Sequence, residues 1–191
     1  MLIPLVAMTL FWGLSCGTFI VKVPPPQDNK ASFPIFELPV PQDVAHANYL
    51  GVSEPGNFTL TQIKSPVLII ELFSKNCTYC KIAAPLVHQL YLTIQARPEL
   101  KEKIKIIGIG VNNDASKLDA FREKYYVPFP LFPDKYGAIS KKLDLITLPT
   151  FIGVKNMGDG TMEKFLVQSG KFQDTNSFLA EIIEKAKLEE G

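Results

Sequence analysis

Two cysteines, Cys77 and Cys80, stand three residues apart with Thr78 and Tyr79 between them. Thiols at this spacing can close a small disulfide ring if the backbone turns into a helix there. At a helix start the first sulfur faces unpaired N–H groups and the positive end of the helix dipole. That environment favours the thiolate, the nucleophile of disulfide exchange. The second thiol then resolves the mixed disulfide. A rival reading is half of a zinc site, which wants four N or S ligands. The chain has three cysteines and two histidines. No second Cys pair exists, Cys16 lies in an apolar N-terminal run, and His46 and His88 stand alone. No metal and no cofactor are therefore expected. A pair of idle buried thiols is the remaining alternative.

The pair needs a buried strand that ends just before it and a helix that starts on it. Pro66 to Phe73 is a nearly continuous apolar run rich in β-branched residues, as in a central strand covered on both faces. Ser74-Lys75-Asn76 leads into a helix predicted from Cys77 to Ala96, with Ile82, Leu86, Leu90 and Ile94 recurring every four residues. Ile104 to Val111 reads as a second buried strand. Helices follow over residues 116–125 and 136–143, while residues 126–133 are too proline-rich for regular helix. Residues 150–155 and 164–169 read as strands joined by the turn Asn156 to Gly160. Residues 175–187 form a closing amphipathic helix capped by Thr175 or Asp174. Ahead of the first buried strand, residues 33–64 read as a β-rich lead-in with loops. The order β-α-β-α-β-β-α implies an α/β domain with a mixed sheet.

Composition narrows the function. Twenty Lys+Arg against 19 Asp+Glu leave a net charge of +1, which excludes a generic basic surface for nucleic acid. Hydrophobic residues make up 47% of the chain, so it is not a disordered tail. Leu2 to Val21 carries no charge and is long enough to cross a bilayer, which needs roughly 20 apolar residues. An uncleaved anchor is the first reading. A lipoprotein box around Cys16 and a cleaved signal are the others, and all three imply export. Residues 1–22 are thus assigned to an anchor or signal, 23–32 to a Pro-rich tether, and 33–191 to the domain.

Phe73 to Lys81, Pro85 five places after Cys80, and Thr147-Leu148-Pro149-Thr150 together resemble the thioredoxin-like superfamily. The branch they are most similar to is the membrane-tethered bacterial thiol-disulfide oxidoreductases of the redoxin type. Residues 127–134 and the 72-position spacing from Cys77 to Pro149 fit the same branch. The resemblance covers roughly Phe33 to Lys187. It implies a three-layer α/β/α fold with a central mixed sheet behind an N-terminal membrane segment. It also implies that Cys77 attacks, that Cys80 resolves, and that Pro149 is a cis proline facing the disulfide. Leu148 before it would offer backbone hydrogen bonds to an incoming chain, in the manner of strand addition. Thr78 and Tyr79 would tune the thiols and touch substrate.

Glu71 lies six residues before Cys77 within the apolar run. A carboxylate there is costly to bury and acquires a raised pKa. By the same resemblance it accepts the Cys80 proton, directly or through water. The alternative is a Glu71 that reaches solvent or an ion pair. The implied partners are protein thiols and disulfides, with a membrane thiol carrier as electron donor. The implied place is the periplasmic or extracytoplasmic side of the cell envelope. Cytochrome c maturation is one setting for such a reductase. Asn76 and Thr78-Tyr79 replace residues often found around the pair, so direction is not read from the motif. The rival functions are a thiol peroxidase, a copper carrier on the same fold, and a non-catalytic binding module. The peroxidase reading lacks a Thr three places before the first Cys, and the copper reading lacks a later His. Elsewhere, His46 is expected in a loop without a partner, and the lysines of residues 101–105 on a solvated surface.

Overall fold

A computed structural model of the chain describes residues 33–144 and 147–188. The anchor and tether assigned to residues 1–32 lie outside the described residues. Among those described, no helix is long and apolar enough to cross a membrane.

Among the described residues, seven strands and six α-helices follow in the order β1 (Glu37–Pro39), α1 (Val44–Leu50), β2 (Asn57–Thr59), β3 (Val67–Phe73), α2 (Thr78–Gln95), α3 (Pro98–Lys101), β4 (Ile104–Val111), α4 (Ala115–Tyr125), β5 (Leu131–Asp134), α5 (Ala138–Lys142), β6 (Thr150–Asn156), β7 (Met162–Ser169) and α6 (Thr175–Ala186). The main sheet has the order β5-β4-β3-β6-β7. β3 pairs parallel with β4 and antiparallel with β6. Every residue of β3 and of β4 is buried, as their unbroken apolar runs require of strands covered on both faces.

The period of two along β3 divides the core. Val67, Ile69 and Phe73 face α2, α4 and α6. Leu68, Ile70 and Leu72 face the opposite layer, which contains Phe36, Leu38 and Phe58 of the lead-in. That second layer holds the antiparallel ladder of β1 with β2 and the 3-10 turn Leu60–Gln62 that follows it. Each large apolar side chain taken fully out of water contributes about 1.5–3 kcal/mol.

Three expectations need correction, and one strand is unannounced by the sequence. The lead-in contains a helix, α1, capped by the Asp43 carboxylate at its start and by left-handed Gly51 at its end. The proline-rich segment contains a strand, β5. The Pro130 carbonyl accepts from Gly108 of β4 and the Asp134 carbonyl from Asn112 just beyond it, so Pro133 between them faces the open edge, where no N–H is needed. The inward stripe of α2 is Cys80, Ala83, Ala84, Val87, Leu90 and Ile94, whereas Ile82 is half exposed. Small alanines let the helix lie close to the sheet, and the bulky Ile82 points away. Lys105 is buried rather than solvated. Its ammonium donates to the Lys101 carbonyl at 2.7 Å and lies over the Tyr49 ring.

Candidate active site

β3 delivers the chain to the site. Beyond Phe73, residues Ser74 to Asn76 form a turn in which the Cys77 N–H donates to the Ser74 carbonyl at 3.0 Å. Cys77 is the N-cap of α2, with extended backbone at φ −77° and ψ 121°. Its sulfur accepts from the Cys80 N–H at 3.3 Å. A sulfur thus fills the capping role usually taken by a Ser, Thr, Asp or Asn oxygen. Both cysteines are free thiols, Cys77 partly exposed and Cys80 buried. A large disulfide partner can therefore reach the first sulfur but not the second.

The segment before β6 closes over the pair. The Cys77 thiol donates to the Leu148 carbonyl at 3.6 Å. The Leu148–Pro149 bond is cis. The Thr150 hydroxyl donates back to the Thr147 carbonyl at 2.7 Å and steadies this turn. The structure so brings Cys77, Cys80, Leu148 and Pro149 together. Thr78 is exposed, and Tyr79 is 64% exposed at the first turn of α2.

Glu71 has the same parity along β3 as Phe73, on the α2 side of the sheet. It is 3% exposed, and its Oε1 has no hydrogen-bond partner. The solvated or ion-paired alternative therefore does not hold. Burial alone pushes its carboxyl up to about 8. Burial also pushes the Cys80 thiol well above its ordinary value. The Cys77 sulfur adds to that rise, and the Glu71 charge contributes a smaller part. A hydrogen bond from the Ser74 backbone opposes it. The Glu71 carboxyl is thus mostly protonated at neutral pH and becomes a proton acceptor as pH rises towards about 8.

The histidines stand apart from this group. His46 sits on α1, not in a loop, with its Nε2 3.3 Å from Arg122 Nη1. That guanidinium also donates to the Phe129 carbonyl at 2.9 Å. His88 is half-buried along α2. Among the described residues, no group of three or more His, Cys, Asp or Glu side chains could hold a metal ion.

Sequence reasoning missed one residue at the site. Asn113, in the loop after β4, is 1% exposed. Its Oδ1 accepts from the Lys75 N–H at 2.7 Å, and its Nδ2 donates to the Ser74 hydroxyl at 3.4 Å. The available signal was a polar pair, Asn112-Asn113, directly at the end of a buried strand.

A helix capped by the first cysteine of a pair, a cis proline against it and a five-stranded mixed sheet behind define a thioredoxin-like fold. Residues 31–164 match the AhpC/TSA family model, and the chain belongs to that family. Solved structures agree on the fold. A Chlorobium tepidum protein described as the thiol:disulfide interchange protein DsbE superposes with a TM-score of 0.61 at 15% identity, over 81% of this chain and 95% of that one. StoA from Bacillus subtilis gives 0.55 at 15% identity, over 76% and 94%. A secreted Mycobacterium tuberculosis disulfide oxidoreductase homologous to E. coli DsbE gives 0.53 at 17% identity, over 68% and 90%. No curated protein matches the sequence.

Proposed function

We propose that this protein is an exported, membrane-tethered thiol-disulfide oxidoreductase that reduces protein disulfides through Cys77 and Cys80. The observation that carries the reading is the graded pair at the start of α2. The Cys77 sulfur is reachable and held by the Cys80 N–H, and the Cys80 sulfur is buried behind it. The secreted Mycobacterium tuberculosis relative supports export, as does the apolar run Leu2 to Val21.

The Cys77 thiolate attacks one sulfur of a substrate disulfide. A mixed disulfide forms, and the substrate's other sulfur leaves as a thiolate that takes up a proton. Leu148 and Pro149 line the attack path, and the exposed faces of Thr78 and Tyr79 touch the incoming chain. Glu71 then takes the Cys80 proton, directly or through water. The Cys80 thiolate attacks the Cys77 sulfur and expels the second substrate sulfur as a thiolate, which takes up a proton from Glu71 or solvent. Two electrons and two protons pass to the substrate, and the Cys77–Cys80 disulfide remains. A membrane thiol carrier on the extracytoplasmic side of the cell envelope restores the two thiols by the reverse exchange.

The test is the reduction potential of the pair in the full-length protein, by equilibrium with glutathione or dithiothreitol. A value near or below about −200 mV belongs to the reductive range and supports the proposal. A value nearer about −120 mV marks an oxidant that introduces disulfides and overturns the direction. If no reversible disulfide forms, the oxidoreductase reading itself falls.

A further inference from the structure

Strands β3 and β4 run parallel, and Phe73 stands in register with Gly110. Their carboxyl ends therefore release two loops side by side. One is the Ser74–Asn76 turn that carries the cysteines. The other is Asn112 to Asp114, which turns sharply: Asn112 has φ 56°, in the left-handed region, and the Asn113 N–H donates to the Gly110 carbonyl at 3.1 Å. Gly110 makes room for this turn, because a Cβ there would come within 3.2 Å of Asn113 Cβ and would overlap a Leu118 methyl. The turn aims the Asn113 carboxamide back across the sheet end at the neighbouring loop.

A buried amide is costly unless its polar atoms are paired. Here both ends are used, and both partners belong to the two residues that begin the cysteine turn. Those residues reach the sulfurs through their backbone. The Ser74 carbonyl accepts the Cys77 N–H. The Ser74 backbone is also the one neighbour among those perturbing the Cys80 thiol that favours its thiolate.

We infer that Asn113 is a positioning residue for the redox pair, setting from the neighbouring strand the turn that fixes how the two sulfurs face each other. The inference rests on Cys77 and Cys80 acting as a redox pair. The clamp holds the Ser74 backbone, which favours the Cys80 thiolate, and so supports the reduced form of the pair. Loosening it weakens that form relative to the disulfide. A protein whose reduced form is stabilised is the stronger oxidant, so losing the clamp makes the pair more reducing.

The experiment is the glutathione equilibrium of full-length wild type, Asn113→Ala and Leu118→Val. Leu118, on α4, lies beside Gly110 under the same loop and is apolar, so it has no hydrogen bond to give the cysteine turn. Asn113→Ala is expected to shift the equilibrium about fivefold towards the disulfide, the size of one ordinary hydrogen bond. That is about 21 mV at 29.6 mV per decade. Leu118→Val is expected to lower the melting temperature and leave the equilibrium within twofold of wild type. If Asn113→Ala does not fold, Asn113→Ser and Ser74→Ala carry the same readout, each keeping more of the loop. An equilibrium unchanged in the folded Asn113 variant, or equally shifted by Leu118→Val, overturns the inference and leaves Asn113 a purely structural residue. A wild-type pair that forms no reversible disulfide overturns this inference together with the proposed function.

Discussion

Replacing Glu71 by Gln tests the buried carboxyl of β3. In the folded protein its pKa is pushed up to about 8 from an ordinary 4.5. Between those values the native state holds one proton more than the unfolded chain. Stability must then fall as pH rises, by about 1.36 kcal/mol per unit. From pH 5 to pH 7 the loss is about 2.7 kcal/mol. It is complete near pH 8 and absent below pH 4.5. A glutamine at this position cannot ionise, so the slope vanishes in the variant. The amide brings a constant cost for its own buried polar atoms, but a constant drops out when slopes are compared. The other titrating groups are common to both proteins and drop out as well. The assay is urea unfolding of the reduced proteins at pH 5, 6 and 7. With a slope of about 2 kcal/mol per molar urea, wild type should lose about 1.3 M more in midpoint than the variant across that range. Parallel midpoints at the three pH values would refute the buried, unpaired carboxyl. Kinetics give a second reading. If Glu71 takes the Cys80 proton, the resolving step should speed up with pH towards about 8 in wild type, and Glu71→Gln should be slower and lack that rise.

Other expectations follow from the same geometry. Cys80→Ser should accumulate a mixed disulfide between Cys77 and a substrate protein, seen as a reducible adduct by mass spectrometry, because the resolving sulfur is gone. Cys77→Ser should form none, since Cys80 is buried. Tyr79→Ala should slow reduction of a protein disulfide several-fold while leaving the rate with glutathione disulfide unchanged. An equal effect on both would remove Tyr79 from the substrate surface. Arg122→Ala should cost about 2–3 kcal/mol in denaturant unfolding, for the carbonyls of Phe129 and Val127 lose a charged donor. Its redox equilibrium should stay at the wild-type value.

The elements around the cysteines were legible because their signals are local. β3 and β4 announce themselves as apolar runs, and a chain that must leave a buried strand and start a helix has few places to put Cys77. Harder to see was anything set by partners distant in sequence. α1 is only seven residues long, and its two caps are its main signature. β5 hides behind prolines that an edge strand tolerates. Lys105 looks like a surface residue until Tyr49, from a helix absent in the sequence reading, covers it. The phase of α2 was misread because a four-residue repeat follows Ile and Leu and overlooks Ala83 and Ala84. Asn113 offers no pattern of its own; its importance lies in the adjacency of two loops, which depends on strand order. Glu71 was visible as an oddity, but its burial depended on β6 and β4 lying on both sides of β3.

The backbone seam at Phe33 bears on reach. The Phe33 N–H donates to the Met162 carbonyl at 2.9 Å, and Met162 pairs with Asn156, the end of β6 away from Thr150. Seven strand residues at ~3.3 Å each put about 20 Å between that seam and the sulfurs. Under the proposed anchoring, a ten-residue tether over residues 23–32 would add at most about 35 Å. A domain hung from a bilayer by this stalk would present its sulfurs outward, to clients in the surrounding space, with its back to the lipid. A donor embedded in the same bilayer would then have to project its thiols past the domain's flank, or wait for the domain to roll over on its leash. Client reduction and recharging would be separate orientations, and shortening residues 23–32 would slow the second before the first.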